Sequence, residues 1–349
     1  MSFKLSSITP GEMRIAAAGV KALPVEQSQV WDEFDERCGR SVFGRYAFAK
    51  NDSVLALISL TVFNLRGVKF LWAKKGPLWL RSQTPENERE LRKALVAEIK
   101  KRDPRVVFIR MHAKYSAPDL RDLLQTMTYD RTVLVNTGGG DQDAILETMP
   151  KDGRRSVRRS IKRMVESGAR ARDLTGLTQE EFAPIYKVIC ETAERDGFYT
   201  HPQDVYWNML DALGPDHARL FGVEYEGEIV AWVIVLVNDR KAYAYYGAHS
   251  LKAREVLASE YLDFWAAKTL GEDGVESLDL MGVDSTRCPE LYNLGIYKRR
   301  FSRDIVDVDG AWDVPVKQSL YNAVVLAKAG KDALRHGGRS VRKILSRAK

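Results

Sequence analysis

The order of apolar and polar positions in the first third of the chain predicts a mixed α and β fold. From Val54 to Phe63 nearly every residue is apolar or β-branched, and a second run from Val68 to Trp72 has the same character, so both are predicted as strands. Between Pro85 and Lys101 the apolar residues recur at helical spacing among charges, and Val106 to Ile109 is predicted as a buried strand. Strand, helix and strand thus alternate, which is typical of the mixed α/β (α+β) class.

The same order of elements returns in the second half of the chain, although no residue-level repeat accompanies it. Predicted helices run from Glu180 to Arg195, Pro202 to Leu213 and Glu255 to Leu270, and predicted strands from Ala218 to Tyr225, Ile229 to Asn238, Lys241 to Ala248 and Ser277 to Met281. The run from Thr137 to Gly140 is predicted as a flexible break. We therefore expect two related subdomains, one of residues 1–150 completed by 311–335 and one of residues 151–310, followed by a basic tail at 336–349.

Composition is that of a globular protein with a moderate attraction for polyanions. The 349 residues are 45% hydrophobic and 29% charged, which excludes a disordered chain. Lys and Arg total 54 against 47 Asp and Glu, so tRNA, a nucleotide diphosphate and anionic lipid all suit the net charge of +7. We see neither a leader nor a membrane span in the sequence, and we expect a cytoplasmic protein with reduced cysteines.

Neither a metal centre nor a serine nucleophile is predicted. The five histidines are scattered without the spacing of metal ligands, and the three cysteines are far apart. The chain also lacks the Gly-x-Ser-x-Gly turn on which many Ser-His-Asp enzymes carry their nucleophile. We therefore expect that any reaction catalysed by this protein is a direct transfer, without a covalent enzyme intermediate.

Several short segments occur in one order along residues 23–310. They are Gln27 to Trp31, Ala73-Lys74-Lys75-Gly76-Pro77, Thr132 to Asn136, Arg154 to Arg163, Thr192 to Phe198, Tyr243 to Ala248, Asp279 to Gly282 and Tyr297 to Phe301. Each segment alone is a weak signal, but the ordered set resembles the Fem family of aminoacyltransferases. Members of that family build the interpeptide bridges of bacterial peptidoglycan.

The resemblance implies a fold and a reaction. The fold would be two GNAT-like (acyl-CoA N-acyltransferase-like) subdomains with the precursor in a groove between them, and no helical coiled-coil arm, because the Arg154 to Arg172 segment runs directly into Leu174. The reaction would move an amino acid from aminoacyl-tRNA to the stem-peptide amine of lipid II or UDP-MurNAc-pentapeptide. We expect a monomer with no cofactor, neither acetyl-CoA nor a metal, that can touch the inner face of an anionic membrane.

Four residues are predicted for catalysis. The resemblance assigns Lys298 as the catalytic lysine, whose charge would stabilise the oxyanion of the tetrahedral intermediate. Tyr243 and Tyr245, two residues apart on one strand, are expected to share a face and line a groove, with Tyr246 pointing away. Asp279 is expected to orient a cation or an amine. A solvated lysine, core tyrosines and a turn-forming aspartate remain open as the structural alternatives.

Two further sets are predicted for binding. Substrate contacts are assigned to Trp31, Lys75, His201 and Tyr206, where His201 stands in place of the family's arginine and Asp35 in place of a lysine that contacts phosphate in some members. Along the basic segment, five cations are expected on one helix face that follows the phosphates of tRNA, with a solvated face as the alternative. They are Arg155, Arg158, Arg159, Lys162 and Arg163.

Two other functions remain open at this point. One is an acyltransferase that uses acyl-CoA or acyl-carrier protein, although the loop from His249 to Glu255 has no glycine of the kind that holds a pyrophosphate. The other is a non-catalytic module that binds tRNA or lipid. The basic tail suits a membrane surface, tRNA or a disordered end equally well.

Overall fold

The computed structural model describes residues 2–65, 67–124 and 128–329, and the chain divides into two compact units. The first unit consists of Met1–Ser7, Phe43–Met127 and Ala311–Lys349, and the second of Ile8–Val42 and Thr128–Gly310. The predicted boundary at residue 150 therefore differs from the observed one, because the strand at Arg131–Asn136 pairs within the sheet of the second unit. The predicted basic tail at 336–349 lies outside the described residues.

The elements are numbered in chain order. The helices are α1 (Pro10–Ala17), α2 (Val30–Arg37), α3 (Pro85–Arg102), α4 (Gln142–Thr148), α5 (Lys151–Ser167), α6 (Gln179–Asp196), α7 (Gln203–His217), α8 (Ala258–Glu272), α9 (Tyr292–Lys298) and α10 (318–329). The strands are β1 (Phe3–Ser7), β2 (Ser41–Lys50), β3 (Ser53–Leu65), β4 (Val68–Trp72), β5 (Leu78–Trp79), β6 (Phe108–Ala113), β7 (Arg131–Asn136), β8 (Arg170–Asp173), β9 (Ala218–Tyr225), β10 (Glu228–Asn238), β11 (Lys241–His249), β12 (Ser277–Gly282), β13 (Ile305–Asp307) and β14 (Gly310–Pro315).

The first unit is a sheet in the order β1-β2-β3-β4-β6-β14, with β5 paired to β3. Helix α3 buries Leu91, Leu95 and Ile99, which recur at helical spacing, against this sheet. It connects β4 to β6, which run parallel. A fully buried ion pair, in which the Arg110 guanidinium donates to Asp313 at 2.7 and 3.1 Å, ties β14 to β6.

The second unit repeats this arrangement on a sheet in the order β13-β7-β12-β11-β10-β9-β8. Helix α8 connects β11 to the parallel β12, as α3 connects β4 to β6. The residues of β10 alternate between the two faces of the sheet. Val233 and Val235 pack in the cluster that contains α5 and α8, whereas Trp232 and Ile234 pack in the cluster that contains α2, α6 and α7. The unit is therefore a sheet covered by helices on both faces.

Two features of the second sheet matter for the site. The parallel ladder between β11 and β12 ends at Tyr243 and Asp279, although β11 continues to His249. On its other side, β11 pairs with β10 through a bulge, since Ile234 lies opposite Tyr246 and Val235 opposite Ala244. Tyr245 is the extra residue of that bulge.

The predicted flexible break at Thr137 to Gly140 is instead an ordered turn. The amide of Gly140 donates to the Thr137 carbonyl at 2.8 Å, and the amide of Asp141 donates to the Gly138 carbonyl at 3.1 Å. The Asp141 carboxylate then caps α4 by accepting from the Ala144 amide at 2.7 Å. In the described part of the chain, the longest helices have 18 residues. No described helix is both long and apolar enough to cross a membrane.

Candidate active site

Lys298 is the last residue of α9 and lies at the end of β12. Its ammonium donates a hydrogen bond to the Gly282 carbonyl at 2.9 Å, and the side chain is half-buried. Burial lowers the pKa of Lys298 to about 8, and the carboxylates of Asp263 and Asp279 act in the opposite direction. The lysine is therefore a helix-end cation held against the sheet, with the ammonium form predominating below a pKa of about 8.

Asp263 and Tyr297 form a pair beside this lysine that sequence reasoning missed. The Tyr297 hydroxyl donates to the Asp263 carboxylate at 2.7 Å, and Tyr297 immediately precedes Lys298 on α9. Burial raises the pKa of Asp263 to about 6, while the hydrogen bond from Tyr297 and the charge of Lys298 oppose that rise. The available signal was an acid within the largely apolar α8, directly between Leu262 and Phe264.

Asp279 is 7% exposed and holds the turn that ends β12. Its carboxylate accepts from the Thr132 hydroxyl and, at 2.6 Å, from the Met281 amide. Met281 has a φ of 66°, a left-handed conformation that this hydrogen bond stabilises. Asp279 thus combines the turn-forming role with a favourable charge near Lys298.

Tyr243 is half-buried and lies beside Asp279 in the parallel ladder. The turn that follows Asp279 packs closely on a further tyrosine, because a Cβ added to Gly282 would lie 2.5 Å from Cγ of Tyr129. The Tyr129 hydroxyl also donates to the Met281 sulfur at 3.4 Å. Tyr129 is a third residue missed from the sequence, since nothing nearby in the chain distinguishes it.

The bulge in β11 changes the predicted directions of the tyrosines. Tyr245 and Tyr246 pack edge to face at 5.2 Å between ring centroids and contact the same core cluster, so the expectation that Tyr246 points away from Tyr245 is wrong. The regular two-residue alternation fails because the bulge inserts one residue at this point. Trp31, a predicted substrate contact, is 1% exposed, and its ring centroid lies 6.0 Å from that of Tyr245. This position suits a residue that supports the Tyr245 ring.

His201 and Tyr206 lie on the other side of Tyr246. The Tyr206 ring is buried, packs edge-on to Tyr246 at 4.9 Å, and its hydroxyl shares a hydrogen bond with Thr200 at 2.7 Å. His201 is exposed, with its ring 6.0 Å from Tyr246 and 6.1 Å from Tyr206. The structure thus groups these two predicted residues around Tyr246.

Asp35, which stands where relatives have a lysine, is a buried structural carboxylate. It is 1% exposed and accepts from Nε of Arg40 at 2.6 Å. Arg40 in turn lies over the Phe34 ring at 5.1 Å. The predicted substrate contact Lys75 belongs to the first unit, where it has a φ of 53° next to the cis Gly76–Pro77 peptide.

The five predicted cations of α5 all lie on its exposed face. The opposite face is buried and consists of Gly153, Val157, Ser160 and Met164. Two of the cations have partners: Arg163 donates to the Glu255 carbonyl at 2.8 Å, and Lys162 lies 3.6 Å from Glu166. The exposed basic face is therefore a fixed feature of a well-packed helix.

Helix α5 is locked to the segment that carries Lys298. A Cβ added to Gly153 would lie 1.7 Å from the carbonyl oxygen of Arg300, two residues beyond Lys298. Only glycine permits this approach, because the obstructing atom belongs to the backbone. The N-terminal turn of the basic helix and the end of α9 are thus held together.

The residues that precede α8 bear on cofactor binding. Leu257, at the N-cap of α8, has a φ of 56°, and Glu260 lies in the first turn. A bulky side chain and a negative charge both disfavour a pyrophosphate at a helix N-terminus. Within the described ranges, no group of three or more His, Cys, Asp or Glu could hold a metal ion.

Comparisons with known proteins agree with this architecture. Residues 151–299 match the model of an acetyltransferase (GNAT) domain, which here runs from the start of α5 to just beyond Lys298. Over 118 residues the chain is 28% identical to a lipid II:glycine glycyltransferase of Staphylococcus epidermidis. That match covers 33% of this chain and 28% of the relative, so the chain spans less than a third of the length of the curated relatives it matches.

Solved structures extend the likeness to nearly the whole chain at the level of fold. The crystal structure of FemX has a TM-score of 0.72 at 16% identity, covering 92% of this chain and 100% of that one. A tandem GNAT protein from the clavulanic acid biosynthesis pathway has a TM-score of 0.50 at 10% identity, covering 90% and 99%. The predicted fold of two GNAT-like units is confirmed. The chain therefore shares the fold of FemX over nearly its whole length, and residues 151–299 match a GNAT domain.

Proposed function

We propose that this protein moves an amino acid from aminoacyl-tRNA to an amine of the stem peptide of a peptidoglycan precursor. The observation that carries the proposal is the fixed proximity of a half-buried cation, Lys298, to a basic helix, α5, through the contact of Gly153 with Arg300. Lys298 suits the stabilisation of an oxyanion, and the basic helix α5 suits the binding of a chain of phosphates. Together they fit an acyl donor that is attached to RNA.

Lys298 is the proposed catalytic residue. The neutral acceptor amine attacks the ester carbonyl, the carbonyl oxygen becomes an oxyanion, and collapse of the intermediate forms the amide and releases a ribose hydroxyl. The amine loses its proton as the ribose oxygen gains one, so the transfer is balanced without a metal or a redox partner. A cation aimed at the oxyanion contributes roughly 10²- to 10³-fold in rate.

The exposed face of α5 is the proposed tRNA contact. Its arginines present planar guanidinium donors suited to phosphate oxygens, and the buried face packs the helix against the rest of the unit. Binding through phosphates carries no base sequence information. Selection of the aminoacyl group is therefore expected to depend on the aminoacyl end of the donor.

Acyl-CoA is the competing donor, and the start of α8 argues against it. The helix start has Leu257 at its N-cap and the charge of Glu260 in its first turn, whereas a pyrophosphate needs free backbone amides and a positive environment. The donor in the proposal is therefore aminoacyl-tRNA, without acetyl-CoA or a metal.

Lipid II is the proposed acceptor. The match to a lipid II:glycine glycyltransferase supports a lipid-linked precursor, with UDP-MurNAc-pentapeptide as its soluble counterpart. Reaching a lipid-linked acceptor requires contact with the membrane surface. The net charge of +7 favours such peripheral contact with anionic lipid at the cytoplasmic face.

Mass spectrometry of the products tests the proposal. The full chain is incubated with charged tRNAs and either lipid II or UDP-MurNAc-pentapeptide. The mass of the precursor is measured before and after the incubation. A mass increase equal to one aminoacyl residue supports the proposal and identifies the amino acid. An unchanged precursor, or acyl transfer from acetyl-CoA in a parallel reaction, contradicts it.

A further inference from the structure

Three charged groups meet at the end of α9 without forming a direct ion pair there. Lys298 donates to the Gly282 carbonyl at 2.9 Å, and Asp263 accepts from Tyr297 at 2.7 Å. Asp279 accepts from Thr132 and Met281. Each carboxylate thus has neutral donors of its own, and the lysine has a neutral acceptor.

We propose that Asp263, held by Tyr297, is a positioning residue that keeps Lys298 protonated while leaving its charge available to the reacting oxygen. This inference rests on the proposed function, because it assigns a purpose to the charge on Lys298. It adds two residues, Asp263 and Tyr297, to those assigned from the sequence. Neither is required to contact the substrate.

The arrangement resolves a conflict between burial and charge. A half-buried lysine loses its proton readily, because burial disfavours the charged form. A direct ion pair would restore the proton but would also neutralise the charge that an oxyanion needs. Two carboxylates that act from nearby, and that are occupied by other donors, raise the pKa of Lys298 without binding its ammonium.

The charged groups around this cluster come from three elements. Asp279 acts on Lys298 from β12 and Asp263 acts on it from α8. Glu260, also on α8, acts on Tyr297 and Asp263. Arg300, just beyond α9, acts on Tyr297. Lys298 is protonated below a pKa of about 8 and Asp263 is ionised above a pKa of about 6, so both charges coexist between these values.

Two substitutions weaken the support that Asp263 gives to a protonated Lys298. Asp263→Asn removes a charge that favours the ammonium, so the pKa of Lys298 falls and the alkaline loss of activity moves to lower pH. Tyr297→Phe removes the donor that lowers the pKa of Asp263, so this carboxylate carries less charge near neutral pH and the pKa of Lys298 falls by less than in Asp263→Asn. A purely structural defect lowers activity at every pH alike.

Competitive acetylation measures the protonation of Lys298 without relying on activity. The full chain is treated with a trace of acetic anhydride across a pH series, and labelling of Lys298 is quantified by peptide mass spectrometry, because only the neutral amine reacts. We expect a midpoint near pH 8 in the wild type and a lower midpoint in Asp263→Asn. The matched control is Asp273→Asn at the other end of α8, where the carboxylate pairs with Arg219, and its midpoint is expected to stay unchanged.

The activity assay follows the initial rate of transfer with a correction for spontaneous hydrolysis of the ester. The ratio of Asp263→Asn to wild-type activity is expected to fall about threefold or more between about pH 6.5 and about pH 8.5. If the labelling midpoint does not move in Asp263→Asn, the inference is overturned whatever the activity. If the midpoint moves but the wild type transfers no amino acid, the electrostatic assignment stands and the proposed function fails.

A folding defect would be recognised independently. Thermal unfolding of each variant is compared with that of the wild type, and Tyr297→Phe retains the Asp263 side chain should Asp263→Asn fail to fold. A labelling midpoint of Lys298 that stays at the wild-type value in folded Tyr297→Phe contradicts the role of Tyr297. A lower midpoint supports it.

Discussion

Gly153 and Arg300 touch so closely that a methyl group on the glycine would lie 1.7 Å from the arginine's carbonyl oxygen. Gly153 lies in the first turn of the basic helix α5, and Arg300 comes two residues after Lys298. The contact connects the buried face of α5, opposite the proposed tRNA-binding surface, to the segment that carries the proposed catalytic lysine. A change at Gly153 therefore acts on both.

We expect Gly153→Ala to lower the free energy of unfolding by about 1–3 kcal/mol, because the new methyl group forces two backbone segments apart. Gly11→Ala, in α1, is the matched control, since the nearest atom to an added Cβ there is 4.0 Å away. Chemical denaturation of both variants measures the difference. Equal stability of Gly153→Ala and the wild type would contradict the close contact.

Charge reversal on α5 is expected to weaken tRNA binding and reduce its dependence on salt. Each phosphate contact contributes roughly one unit to the slope of log affinity against log salt concentration, so losing contacts flattens the slope. The variant carries glutamate at Arg155, Arg159 and Lys162, all exposed. Affinity is measured by filter binding across a salt series, with several tRNAs.

A second triple variant controls for net charge. It carries glutamate at Lys93, Lys100 and Lys101, which are exposed on α3 in the first unit. We expect the control to keep most of the salt slope. An unchanged slope in the α5 variant would assign that helix to an ordinary solvated surface, and loss confined to one isoacceptor would instead indicate recognition of bases.

Acetyl-CoA is expected neither to bind nor to stabilise the protein. Leu257 and Glu260 make the start of α8 unsuitable for a pyrophosphate. Thermal unfolding with and without acetyl-CoA measures this, since a ligand at a hundred times its Kd stabilises the folded state by about 2.7 kcal/mol. A marked rise in Tm would favour the acyl-CoA alternative, and loss of transfer on addition of EDTA would contradict the expectation of a metal-free reaction.

Local patterns predicted the elements of the fold well where periodicity was strong. The strand predicted at Val68 to Trp72 has those bounds, and the helix predicted at Pro85 to Lys101 ends one residue later. Elements of the first 50 residues were not predicted, nor was the assignment of residues 8–42 to the second unit. That assignment depends on tertiary packing, such as Trp31 against Tyr245, which local periodicity does not encode.

The site was predicted less completely than the fold. Lys298 was predicted through the order of family motifs, but its neighbours were not, because Asp263 is 35 positions earlier on another helix and meets Tyr297 only in the folded chain. The direction of Tyr246 was missed for a related reason. A bulge is a property of two paired strands, and the sequence of one strand does not specify it.

The most direct test of the account is the single-turnover rate of aminoacyl transfer by Lys298→Ala. Charge on the carbonyl oxygen appears only in the transition state, so the rate should fall at least about tenfold while precursor affinity and the fold remain nearly unchanged. Lys101→Ala, an exposed lysine on α3, should transfer at the wild-type rate. Transfer by Lys298→Ala at the wild-type rate would remove this residue from the mechanism and contradict the central claim.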